Sequence, residues 1–207
     1  MKRIFFLFLL SSFLFACAPA TSSPLRIVDV YASPSASSFL DELYACADVS
    51  FVTLNLTSDS PDLSLRLGLL DGWAGPVFQV GTDEIVVAAN LQSLLPSLTL
   101  EQVQTIFAGQ NPSVQVWGYA SAEDTQRIFE SAIMDGRSVT SFARLAVSPM
   151  HMVEALTADP NAVGILPRRW MTSQLRELFA AASVPVLALT PSEPEGVIRD
   201  LIACMQR

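Results

Sequence analysis

Hydroxyl side chains cluster at the starts of helical patterns, where a hydroxyl and its neighbouring amide N–H can hold a ligand or cap a helix. Ser33, Ser35 and Ser37 follow the strand-like run 25–31 and precede a helical stretch from Ser38 to Ala45. A loop between a strand and the next helix is where open α/β sheets bind ligands, though the same serines suit plain turn and N-cap chemistry. Ser121 and Thr125 open a helix running to about Met134, with the same two readings. Between them, Glu123 and Asp124 can complement the positive end of the helix dipole or meet a cationic or hydroxylated ligand. Ser148, followed by Pro149, is a further hydroxyl candidate, and it also reads as an N-cap with proline at N1. Arg168, Arg169 and Trp73 could border a cleft or serve loop solvation and packing. His151 is the single histidine, and no ligand spacing of the kind zinc needs accompanies it, so no metal or other cofactor is expected. Gly-x-Ser-x-Gly, His-Glu-x-x-His and P-loop motifs are all missing, so no catalytic residue is assigned and the chain is expected not to be an enzyme.

These residues need elements to position them. Strands are expected at 25–31, 49–56, 77–80, 85–89, 114–119, 144–147, 162–166 and 184–189. Helices are expected at 38–45, 62–70, after Thr99, from Ser121, from Ser148, at 172–182 and at 194–205. The helix after Thr99 is the best marked. Gln102 completes a capping box with Thr99, Leu100, Val103, Ile106 and Phe107 form the apolar stripe, and Gly109 stands where a C-terminal glycine belongs. Alternation of strands and helices argues for an α/β fold.

The chain of 207 residues is 51% hydrophobic and 15% charged, which suits one domain or two small lobes rather than a disordered segment. Its net charge of −8 argues against nucleic acid as a partner, because such a surface cannot displace counterions from phosphates. The N-terminus reads as an address. Met1-Lys2-Arg3 is basic, and the apolar run from Ile4 to Phe15 is too short to span a bilayer. Leu14-Phe15-Ala16-Cys17 resembles the lipobox of bacterial lipoproteins. That resemblance implies a signal peptide over 1–16, lipidation of Cys17, a tether over 17–24 and an extracytoplasmic domain anchored to the membrane by lipid. Loss of Lys2 and Arg3 would deepen the net charge to −10. Outside the cytoplasm the remaining pair, Cys46 and Cys204, favours a disulfide; the alternative is two buried free thiols.

From Gly81 to Met171 the chain resembles the phosphate-type branch of periplasmic solute-binding proteins. The resemblance rests on five pieces in order: Asp83 to Asn90, Leu98 to Val103, Ile106-Phe107-Ala108-Gly109, Asp124 to Glu130, and Asp159 to Ile165. It implies a two-lobe α/β fold with two crossing strands and a ligand in the cleft between lobes. Lobe one would be 25–83 plus 168–207, and lobe two 84–167. It further implies capture of a small solute, with an oxyanion such as phosphate as the family default, for delivery to the membrane subunits of an ABC importer. The alternative role is a sensing or assembly lipoprotein that keeps the fold without transport. A third reading, a hydrolase on the same scaffold, requires a cleft nucleophile.

The candidate ligand residues are Ser33, Ser35, Ser37, Ser121, Thr125, Arg127 and Ser148; of these the resemblance points to Ser33 and Ser35 in the family's first ligand loop and to Thr125 at the helix start, and the others come from the residues themselves. One departure bears on the solute. Where family members carry Ser-Gly-Thr at the helix start, this chain has Glu123-Asp124-Thr125, and Gln126 stands in the family arginine's place with Arg127 one position on. Two carboxylates there would repel an oxyanion: one like-charge contact at 4 Å costs on the order of 4 kcal/mol at a surface-like dielectric.

Overall fold

The structure, a computed structural model, describes residues 26–207. The expected signal peptide, the lipidation site Cys17 and the tether lie outside the described residues.

Eight strands form one sheet in the order β2-β1-β3-β8-β4-β7-β5-β6. Strand β1 (Arg26–Ala32) pairs in parallel with β2 (Val52–Leu56) and with β3 (Leu63–Leu67). At the other side, β5 (Gln115–Gly118) pairs in parallel with β6 (Arg144–Leu145) and with β7 (Ala162–Pro167). Joining the two parallel groups is an antiparallel pair, β4 (Val77–Asn90) and β8 (Leu175–Leu189).

This pair makes the fold two-lobed. β4 has 14 residues and β8 has 15, longer than the usual range of about 3–10. β3 pairs only with Val186–Leu189 of β8, whereas β7 pairs with Ile85–Pro167 through Ala89–Val163, at the other end of β4. Each lobe therefore takes one end of the same two strands, and β4 and β8 are the crossing strands. Register shifts fall at Gln79/Gly81, Ile85/Val86 and Val87/Ala88. Such irregularities bend a ladder and increase its twist.

Among the described residues, five α-helices cover the sheet: α1 (Leu40–Ser50), α2 (Leu100–Phe107), α3 (Asp124–Ala132), α4 (Pro149–Ala158) and α5 (Gly196–Met205). Thr99 and Gln102 form the full capping box of α2, and Gly109 follows with φ +78°. Ser148 caps α4 by accepting from the His151 N–H, and Pro149 is its first residue. Asn90, the last residue of β4, donates its amide to the Leu156 and Thr157 carbonyls near the end of α4. One apolar core runs through both lobes, with Leu43 and Leu65 buried in the first and Phe107, Phe129 and Met152 in the second.

Several expected elements differ. The helix expected at 62–70 is strand β3, in which Leu63, Leu65 and Leu67 are buried and Ser64 and Arg66 face the other way. That period of two is the strand signature. The helix expected at 172–182 is the first half of β8. Its Leu, Glu and Ala content favours a helix, but pairing with β4 from Ile85↔Ala182 to Asn90↔Leu175 overrides that preference. The runs at 77–80 and 85–89 are one strand through Gly81–Glu84. The first helix runs five residues past Ala45, to Ser50, so Cys46 lies inside it. The helix expected from Ser121 begins at Asp124.

Cys46 of α1 and Cys204 of α5 form a disulfide, with Cα atoms 5.9 Å apart and a sequence separation of 158. Closing so long a loop restricts the unfolded chain by about 4–5 kcal/mol in the chain-entropy account. Reduction with a thiol, or the double change Cys46→Ala and Cys204→Ala, should therefore lower Tm by on the order of 10 °C. A Tm within a degree or two of the oxidised protein would show that α1 and α5 do not depend on the bridge.

Candidate functional site

The two lobes meet where the loop after β1 faces the start of α3. A short helical turn, Ser37–Phe39, precedes α1, and the loop before it holds Ser33, Ser35 and Ser37. These serines separate in role. Ser33 Oγ accepts from the Ala36 N–H at 3.3 Å, and Ser37 Oγ donates to the Pro34 carbonyl at 2.7 Å. Both are spent within the turn. Ser35 alone turns its hydroxyl across to the other lobe, where it bonds Glu123 and Thr125.

Glu123 is the N-cap of α3. Its Oε2 accepts the Thr125 N–H at 2.7 Å and the Gln126 N–H at 3.4 Å, while Oε1 accepts the Ser35 hydroxyl. Two amide N–H groups at a helix start and one hydroxyl from the facing lobe thus converge on a single carboxylate. Burial pushes the Glu123 carboxyl above its ordinary range and the neighbouring Asp124 charge adds to this, against the lowering effect of the Ser35 and amide hydrogen bonds. Tyr119, at the end of β5, is 3% exposed, and its hydroxyl has no hydrogen-bond partner. Its phenol is pushed well above the usual range, by burial first and then by the Glu123 charge.

Asp124 makes the second crossing. It is fully buried. Its Oδ2 accepts the Arg66 Nε–H and the Leu67 N–H, each at 3.2 Å, and its Oδ1 lies 3.2 Å from Arg66 Nη2. Arg127 Nη2 stands 3.6 Å from the same Oδ1. The Arg66 guanidinium also lies 5.5 Å from the centre of the Tyr31 ring. Gly68, just past β3 with φ +65°, keeps this approach open, because a Cβ there would sit 3.1 Å from Ile128 of α3.

The remaining candidates fall elsewhere. Ser121 is exposed and does not cap α3; Glu123 does, because its longer side chain reaches both N–H groups. Ser148 is occupied in capping α4. Arg127 faces Asp124. Gln126 is structural: it accepts the Tyr119 N–H and donates to Glu130. Arg168 and Arg169 lie in the short turn between β7 and the crossing strand β8. Arg168 pairs with Glu84 and Glu177, and Arg169 pairs with Glu42 of α1 and lies over the Phe39 ring at 3.8 Å. Trp73 donates to the Pro76 carbonyl within its own loop. Beside the site, Tyr119, Ser121, Gln126, Glu130, Val139 and Leu145 help to line a mixed polar and apolar cavity of about 280 Å³. Among the described residues no group of three or more His, Cys, Asp or Glu is placed to hold a metal ion. Reading the sequence missed Arg66 and the crossing role of Asp124. The alternation that places Arg66 opposite the leucines of β3 was the available signal.

No family model matches the chain, and no curated protein sequence matches it. Solved structures do. A protein described as a phosphate ABC transporter substrate-binding protein with bound phosphate, from Clostridium perfringens, superposes with a TM-score of 0.78 at 14% identity, covering 87% of this chain and 93% of that one. An ABC-type phosphate transport receptor from Vibrio cholerae gives 0.66 at 16% identity over the same shares. The reduced regulatory domain of OxyR2 from Vibrio vulnificus gives 0.69 at 12% identity, over 92% of this chain and 99% of that one. The periplasmic-binding-protein-like two-lobe fold is therefore shared by transport receptors and by regulatory domains.

Removing one partner of a buried ion pair leaves the other charge uncompensated, at a cost of about 3–5 kcal/mol. Asp124→Ala should lose that much in urea unfolding, and Asp124→Asn, which keeps an acceptor for the Leu67 N–H, should lose less. An Asp124→Ala protein within about 1 kcal/mol of the parent would show that the Arg66 pairing does not support the fold.

Proposed function

We propose that the chain is an extracytoplasmic, lipid-anchored solute-binding protein that captures a small solute between its lobes and presents it to an ABC importer. One observation carries this reading: the Ser35 hydroxyl and the Thr125 and Gln126 N–H groups converge from opposite lobes on one oxyanion-shaped group, the Glu123 carboxylate. Donors of this kind at a helix start suit anions. A solute bearing a carboxylate or phosphate group is the class that fits, and no chemistry on it is involved. The transport descriptions of the two phosphate-receptor structures support the same role. Closure would be a hinge motion about the crossing of β4 and β8. Sequence supplies the anchor, through Cys17, and among the described residues no helix is long and apolar enough to cross a membrane.

A second reading has its own support. Glu123 and Asp124 already make the inter-lobe bonds that a ligand would make. A sensing or assembly lipoprotein that keeps the fold without transport would look like this, and the OxyR2 regulatory domain shares the fold.

Thermal unfolding of the purified chain against phosphate, sulfate, molybdate, amino acids, polyamines and sugars separates the two. A solute at 100 times its Kd adds about 2.7 kcal/mol, which raises Tm by roughly 5–10 °C for a domain of this size. Such a shift with at least one solute supports capture. No shift across the panel contradicts it and favours the sensing or assembly role.

A further inference from the structure

The Glu123 carboxylate is held as a ligand would be. Its two oxygens accept from three donors belonging to two lobes, and the residues concerned, Ser35 and Thr125, are themselves fully buried. Thr125 Oγ1 also bonds Ser35 Oγ, so the hydroxyl that reaches Glu123 is oriented by the helix it faces. A cap needs only the N–H bonds. The bond to Ser35, 88 residues away, is additional and joins the lobes. The buried Tyr119 hydroxyl, which feels the Glu123 charge, has no partner, and the Arg127 Nε–H, on the side chain that faces the adjacent Asp124, has none either.

We infer that Glu123 is a tethered anion, an internal competitor that occupies the oxyanion cradle of the cleft and determines which solutes can enter. This rests on the solute-binding reading and names the residue that sets its selectivity. The physical argument is occupancy. A competitor that fills its cradle 99% of the time weakens a free ligand for the same donors about 100-fold. A free inorganic oxyanion would also stand beside Asp124, whose charge is already matched by Arg66 and Arg127. A solute that enters the unmodified cleft must therefore offer contacts beyond three donors to an oxyanion. Shortening residue 123 vacates the cradle without touching Ser35, Thr125 or the amide groups. Serine there can still cap α3, and it provides a hydroxyl in place of a charge.

The test is calorimetric titration of inorganic phosphate and sulfate into the purified chain and into Glu123→Ser and Glu123→Gln, with Tm followed in parallel. The parent should bind neither anion tighter than millimolar. Glu123→Ser should bind phosphate at least about 100-fold more tightly than the parent does, and Glu123→Gln, whose amide is a weaker occupant, should fall between. Equal phosphate affinity in parent and Glu123→Ser overturns the inference, and so does the lack of any gain in either variant. Should Glu123→Ser fail to fold, Glu123→Gln decides on the same criterion. The two readings fail separately. If an organic solute stabilises the parent while neither variant gains phosphate, the tethered-anion inference is wrong and solute capture stands. If Glu123→Ser gains phosphate but no solute moves the parent, the inference stands and capture by the parent does not.

Discussion

Taking a carboxylate out of water is costly unless donors replace the water, and at the start of α3 Asp124 is taken out completely and the adjacent Glu123 in part. Neither is served by its own lobe alone. Glu123 is bound by the helix it caps and by Ser35 of the other lobe, and Asp124 by Arg66 and the Leu67 N–H on β3. The relative position of the lobes thus follows from where these donors must stand. Opening the cleft would strip donors from a buried acid and a half-buried one at once. Asp124 is the firmer hold, because its Oδ2 accepts both the Arg66 Nε–H and the Leu67 N–H and the Arg66 charge stands beside its Oδ1. Glu123 is the looser one, because one carboxylate oxygen rests on a single serine and burial disfavours its charge.

The crossing strands make that meeting possible. β4 and β8 each serve two lobes, so their twist sets where Ser35 and Arg66 stand relative to α3. Register shifts in the ladder are where a change in that twist is absorbed most easily. Arg169, bonded to Glu42 and lying over Phe39, ties the turn before β8 to α1, a second bond across the molecule. The disulfide joins α1 to α5, so the lobe that supplies Ser35 and Arg66 is held as one unit.

Local signals in the sequence proved readable where local chemistry decides. The Thr99–Gln102 box and the Ser148-Pro149 cap appear where their residues place them. Reading failed where distant partners decide. The segment at 172–182 has helix-forming residues, and only β4, some ninety residues earlier, makes it a strand. The run 62–70 carried a strand's alternation that short length and the turn residues around it obscured. At the site, Ser35 and Thr125 were legible as candidates, but so were Ser33, Ser37, Ser121 and Ser148, and nothing local distinguishes a serine that crosses the cleft from one that closes its own turn. Glu123 and Asp124 were legible as carboxylates at a helix start. That Arg66 receives one of them, 58 residues away, is a property of the folded chain alone. The repulsion expected between Asp124 and an anion is altered by the same pairing, since two arginines now face that charge.

The claim on which this account turns is that the cleft's oxyanion cradle is filled by the protein's own carboxylate. A crystal structure of the unmodified chain grown in millimolar phosphate examines it most directly. The account predicts the Glu123 carboxylate on the Thr125 N–H and the Ser35 hydroxyl, with no phosphate between the lobes. A phosphate seated on the Thr125 and Gln126 N–H groups, with the Glu123 side chain turned out to solvent, would contradict it.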